Sequence, residues 1–221
     1  DVVRVGQGTL TLIACRLTGA RERDGGGAGI RLVGLGRAAM VDCVLEDNDY
    51  AGLSAADASS VTAHECTFRG GRDGAVIWNS ATATLTNSTF VANSDAGVLV
   101  LGDAHIELRA NVIRESAGSG VVVSERATAT IESNRCVANA EYGILVLDAA
   151  RPTIVRNDCR DNGKSGILAT DHAAPRIQDN TLADNAECGL AFVDETSGSA
   201  HGNHCLSNAV GIYVGGNATP E

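Results

Sequence analysis

A glycine followed by a short aliphatic run recurs at Gly29, Gly52, Gly74, Gly97, Gly120, Gly143, Gly166, Gly189 and Gly211, at spacings of 23, 22, 23, 23, 23, 23, 23 and 22 residues. A period held this tightly over nine copies means that one small unit stacks on itself, which predicts a solenoid rather than a globule with a single centre. Val3-Arg4-Val5, followed by Leu10, Leu12, Cys15 and Leu17, reads as an earlier copy, joined to the first anchored one by a Gly-rich insertion over residues 21–28.

Each copy holds three short runs in which apolar and other residues alternate, the period-two signature of strands. The first run supplies Val98 and Val100, Val121 and Val123, Ile144 and Val146, and Leu190 and Phe192. The second supplies Ile106 and Leu108, Ala129 and Ile131, Pro152 and Ile154, and Pro175 and Ile177. The third is very short and supplies Leu45, Phe68, Phe90, Ile113, Cys136, Cys159, Leu182 and Cys205. No segment carries a helical period. The expected fold is therefore all-β: a single-stranded right-handed parallel β-helix of about nine coils of 22–23 residues, with three short strands per coil. Aromatic residues make up only 3% of the chain, as suits an interior filled by stacked small aliphatics. All of residues 1–221 are read as one β-helix domain, and the opening at Asp1, almost directly on a strand, suits a piece of a larger protein.

Between the second and third runs stands a file of like residues: Asn111, Asn134, Asn157, Asn180 and Asn203, continued upstream by Ser88, Cys66, Cys43 and Cys15. A second file holds Asn48, Asn93, Asn139, Asn162, Asn185 and Asn208. Stacked amides at tight turns bond to the copy above and below, so these asparagines are read as a structural ladder rather than as ligands.

Segments such as GILVLDAARPTIVRNDCRDNGKSG and GILATDHAAPRIQDNTLADNAECG resemble the right-handed parallel β-helix repeats of the carbohydrate-binding and sugar-hydrolase group. That group also holds the copper-maturation protein of nitrous oxide reductase and the β-helix of an F-box substrate receptor. The resemblance covers nearly the whole chain and implies the fold. It lies in core and turn positions, which carry no activity of their own.

A net charge of −10 opposes binding to a nucleic-acid backbone. Lys164 is the only lysine, so no polybasic lipid anchor is present. No apolar run reaches the ~18 residues needed to span a bilayer, which speaks against membrane insertion. The seven cysteines show no CxxC spacing. Six fall in stacked files where parallel side chains disfavour bridging, so free thiols are expected, and these favour a reducing, cytoplasmic compartment. Cys188, expected in a turn, is the thiol a reagent should reach.

The outward positions of the first run are unusually apolar: Val76, Trp78, Leu99, Leu101, Val122, Leu145, Leu147 and Leu168, then Val193 and Tyr213. A stripe of this kind fits a protein partner or a second copy of the chain, or else cover by a flanking segment of a longer protein. At the exit of the same run lies an acidic row, Asp57, Glu125, Asp148, Asp171 and Asp194, with Asn79 and Gly102 in register and His172 and Glu195 alongside. Stacked carboxylates call for Ca2+ or an acidic-row ligand, or else they cap turns through their own backbone. The sequence thus favours a non-catalytic scaffold that presents an apolar face, with no cofactor required. The alternative is a polysaccharide-binding or polysaccharide-processing domain, of lyase, hydrolase or epimerase type, that uses the acidic row. Against catalysis stand the uniform coil length, which leaves no long loops to wall a cleft, and the lack of arginine or lysine on the first run of the acidic coils.

Overall fold

A computed structural model describes residues 1–22 and 26–221, so residues 23–25 of the Gly-rich insertion lie outside the described residues. The strands form three sheets in which every pairing is parallel. The first sheet has ten strands, from Val3–Val5 to Val210–Val214. The second and third have nine each, running from Thr9–Ile13 to Ser199–His201 and from Arg16–Thr18 to His204–Leu206. Each strand pairs with its equivalent one coil on, as in the series Val98, Val121, Ile144, Ile167, Leu190. Successive coils are therefore superposed copies, and parallel crossovers of this kind wind right-handedly.

The inner residues read from the alternation are buried. Val98, Val100, Val121, Val123, Ile144, Val146, Leu190 and Phe192 line the first sheet, Ile106, Leu108, Ile131 and Ile154 the second, and Leu45, Phe68, Phe90, Ile113, Cys136, Cys159 and Leu182 the third. Each fully buried aliphatic of this size contributes roughly 1.5–3 kcal/mol against exposure. Phe68 and Phe90 stack with ring centroids 4.6 Å apart, so even the aromatic content of the core obeys the coil step. Cys205 occupies the same file but is only half-buried, because it stands in the last coil.

The anchoring glycines are required by close approach rather than by a left-handed backbone. A β-carbon on Gly120 would lie 2.6 Å from the Gly143 carbonyl oxygen, and one on Gly143 would lie 2.6 Å from that of Gly166. The same obstruction recurs from Gly29 to Gly189, so any side chain there would push adjacent coils apart.

Each coil turns at three corners, and each corner uses one residue with positive φ. In one coil these are Asp148 (φ 54°), Arg156 (φ 55°) and Asp161 (φ 56°). The second and third corners are followed by the two asparagine files. Asn157 Oδ1 accepts from the Asn134 backbone N–H at 2.9 Å and from Asn134 Nδ2 at 3.0 Å. Its own Nδ2 donates to the Ile131 carbonyl at 2.8 Å and to Asn180 Oδ1 at 3.0 Å. Asn162 makes the same set with Asn139, Cys136 and Asn185. Ser88 stands in for asparagine upstream, donating to the Thr86 carbonyl and accepting from the Cys66 N–H. The thiols of Cys66 and Cys43 instead reach carbonyls two residues back.

All seven cysteines are free. Cys188 opens the strand Cys188–Phe192 instead of lying in a turn, because the ladder to Val210 continues through it. It shares partial exposure with Cys15 and Cys205. Burial pushes the Cys66 thiol up to about 11, and the adjacent Cys136 thiol, together with burial, raises that of Cys159. Cys66 and Cys159 are therefore protonated packing groups.

Asn157→Ala leaves a backbone N–H and a carbonyl unpaired inside the corner. It should lower unfolding stability by about 3–5 kcal/mol, read as a drop in the urea midpoint. A loss under about 1 kcal/mol would show that the amides do not hold the coils together.

Candidate functional site

The outer face of the first sheet carries the expected apolar positions, in two neighbouring files. The inner-lying one runs Arg31, Ser54, Val76, Leu99, Val122, Leu145, Leu168, Ala191, Tyr213. The other follows the strand ends and holds Trp78, Leu101, Ser124, Leu147, Thr170 and Val193. Val76 corrects the sequence reading, since only 1% of it is exposed. Larger groups crowd that end: Arg31, from the same file, and Arg72 lie against the Tyr50 ring at 5.4 and 4.6 Å. Asp73 is fully buried beside them, accepting from the Ala96 N–H and from Arg72, and desolvation pushes its carboxyl upward. The open part of the face therefore begins at Trp78, which is 37% exposed, and continues over the half-buried Leu99, Leu101, Val122, Leu145, Leu147 and Leu168 to Tyr213, which is 48% exposed.

The acidic row sits at the first corner of each coil, where the backbone is left-handed: Asp57, Asn79, Glu125, Asp148, Asp171 and Asp194 all have φ between 54° and 59°, and Gly102 has 73°. Asp, Asn and Gly tolerate that conformation better than other residues, so the backbone explains both the acids and their interruptions. The carboxylates also tie coils together. Asp57 accepts from the Gly34 N–H at 2.8 Å, Asp148 from the Glu125 N–H at 3.0 Å, and Asp171 from the Asp148 N–H at 3.2 Å. The Ser124 hydroxyl donates to Asp148 and that of Thr170 to Asp194. The Ser124 hydroxyl and then the Glu125 N–H hold the Asp148 carboxyl below its ordinary value. His172 is exposed and pairs with Glu195 at 3.0 Å. Among the described residues, no group of three or more His, Cys, Asp or Glu converges to hold a metal ion.

One concavity interrupts the flat face. Ala191 stands between Leu168 and Tyr213 in the outer file, and its single methyl leaves an open groove of about 350 Å3. Tyr142, Cys188 and Val193 complete its walls, with Ser165 and Glu187 at the edge. Gly215 leaves room for the Tyr213 ring, whose hydroxyl would lie 2.6 Å from a β-carbon there. Tyr142 is backed by Lys164, whose Nζ lies 5.0 Å from the ring centroid and 2.7 Å from Glu141 Oε1. Sequence reasoning singled out Leu168, Tyr213 and Cys188 but missed Tyr142, Ala191 and Glu187. The available signal was a break in pattern, since Ala191 is the small residue in a file that is bulky from Val76 to Tyr213.

A family model described as "Right handed beta helix region" matches residues 4–113 and 96–221. Among solved structures, a double mutant of the periplasmic alginate epimerase AlgG superposes with TM-score 0.75 at 12% identity, over 84% of this chain and 49% of that one. Pectate lyase Pel9A superposes with TM-score 0.60 at 13% identity, over 98% and 71%. The Azotobacter vinelandii mannuronan C-5 epimerase AlgE4 A-module does so with TM-score 0.55 at 16% identity, over 97% and 88%. At such identities the likeness is one of fold, and the chain spans about half the length of the AlgG epimerase chain it matches. No curated protein matches the sequence.

The lowered Asp148 carboxyl gives a signed expectation. A carboxylate whose folded pKa is depressed contributes stability above its unfolded value, and that contribution is lost as pH falls through the folded value. Asp148→Asn should therefore cost under about 1 kcal/mol at neutral pH, and the cost should shrink as pH falls below the ordinary carboxylate range, measured by urea unfolding across that range. A cost that is independent of pH would contradict this role.

Proposed function

The chain belongs to the right-handed β-helix family, and from that membership together with the outer face of its first sheet we propose that it binds an extended polysaccharide along that face. The observation that carries the reading is the placement of exposed aromatic rings at both ends of one flat aliphatic strip. Trp78 lies at one end and Tyr213 six coil steps away, roughly 29 Å at ~4.8 Å per step, while Tyr142, at the near side of the groove, lies three steps from Trp78. Sugar rings present apolar C–H faces and hydroxyl edges, which suit aromatic platforms joined by an aliphatic floor. The structural neighbours named as alginate epimerases, mannuronan epimerase and pectate lyase support a polysaccharide as ligand class over a purely scaffolding role.

Processing of the polysaccharide is a further step that the acidic row does not favour, since its carboxylates are engaged in turns. A protein partner or a second copy on the same strip is the second reading, favoured by the half-buried Leu101 and Leu147.

Affinity electrophoresis against a panel of neutral and uronic polysaccharides tests the proposal. At least one should retard the chain, and Trp78→Ala should weaken that interaction about tenfold, as loss of an aromatic anchor does. Retardation by none would overturn it. If the protein instead self-associates, and Leu101→Arg with Leu147→Arg abolishes association without unfolding, the second reading takes its place.

A further inference from the structure

We propose that the groove between Tyr142 and Tyr213 seats a ring of an uncharged polysaccharide, so that the chain selects neutral glycans over polyuronates. This rests on the reading that the first sheet's outer face binds polysaccharide, and it specifies the chemistry of that ligand.

The shape comes from a single small residue. Leu168, Ala191 and Tyr213 are consecutive in the outer file, so the Ala191 methyl lies between two large side chains one coil to either side. Val193 and Cys188 close the floor, and Tyr142 forms the wall across from Tyr213. The floor is carbon-rich and the free hydroxyls are those of Tyr142 and Tyr213, since the Ser165 hydroxyl is buried and accepts from the Cys188 N–H. A pyranose ring has the same division, apolar on its faces and hydroxylated at its edge.

The charges around the groove then decide which sugar fits. Glu187 lines it directly, Glu141 precedes Tyr142, and Asp171 and Asp194 stand exposed at the corner beyond Val193. Against these four carboxylates the described residues set one nearby amine, Lys164, and it is already held by Glu141 at 2.7 Å. The Glu141 hydrogen bond leads in raising the Lys164 pKa, and the charge of Glu187 adds to it, so the amine is committed to its own acids. No arginine lines the groove. A uronate carboxylate seated on Ala191 would meet Glu187 with no free cation to offset it. Like charges brought together in a partly enclosed groove repel more strongly than in bulk water, and the expected discrimination is about tenfold. This groove therefore shares a fold with the neighbours named for alginate and pectate, but its own lining sets no free cation against an acidic polymer.

Isothermal titration of the whole chain with neutral hexose oligosaccharides and with uronate oligomers of equal length, each with and without calcium, tests the proposal. The neutral series should bind about tenfold more tightly or better. Ala191→Leu, which fills the notch with a side chain already tolerated at Leu168, should reduce neutral binding at least about tenfold, as should Tyr213→Ala. Glu187→Gln should raise uronate affinity and so narrow the gap. Circular dichroism of each variant checks that the coil is intact. Uronates binding as tightly as neutral sugars, with or without calcium, would overturn the proposal while leaving polysaccharide binding itself standing. Neutral binding that Ala191→Leu and Tyr213→Ala both leave unchanged would place the ligand elsewhere on the face and overturn it too. Binding of neither series would overturn this proposal together with the reading beneath it.

Discussion

Adjacent coils approach so closely at the anchoring glycines that a β-carbon would lie under 3 Å from the next coil's carbonyl oxygen, and this contact fixes the step on which the rest of the molecule depends. With the step fixed, equivalent residues stack directly, every strand finds its ladder, and the amide of each corner asparagine reaches both the backbone and the copy beyond it. Buried turns would otherwise strand polar groups at a cost of about 1–3 kcal/mol each. The asparagine files meet that demand at two corners, and the acidic row meets a similar one at the third. Burial of the aliphatic files then follows from geometry rather than from shape-matching between unlike partners.

A molecule built this way makes identity along a file uninformative about function. The carboxylates of Asp57, Asp148 and Asp171 look like a binding row, yet each stands at a left-handed backbone position and accepts an N–H from the coil before it. Function is better sought where a file changes character without a structural reason. Ala191 between Leu168 and Tyr213 is one such place, and Trp78, the single aromatic in its file, is another. Neither residue is required by the coil step, and both alter the one broad apolar face that the coil presents to solvent.

The inner architecture was legible in the sequence because period two and period 23 each leave a mark on every copy. The same logic placed the asparagine files and the apolar outer positions from Leu99 to Leu168. It gave Val76 the right side of the sheet but not its burial, since alternation says nothing of what else lies on that side. Cys188 was set in a turn because its position just before the glycine lies outside the strand in the four preceding coils, whereas here, as at Ala28, Ala51 and Asp73, the strand begins one residue earlier. The Tyr142–Ala191–Tyr213 groove joins residues from four coils and several file positions, so no single repeat displays it.

Excising one whole coil tests the account most directly. Removing residues 98–120 joins Gly97 to Val121, a junction equivalent to the native Gly120–Val121, and keeps both Trp78 and the groove. The shortened chain should retain its strand signal by circular dichroism and unfold in one cooperative urea transition, whereas removal of about half a coil should abolish both. If the whole-coil deletion were as unfolded as the half-coil deletion, stacking of equivalent copies would not be what holds this protein together.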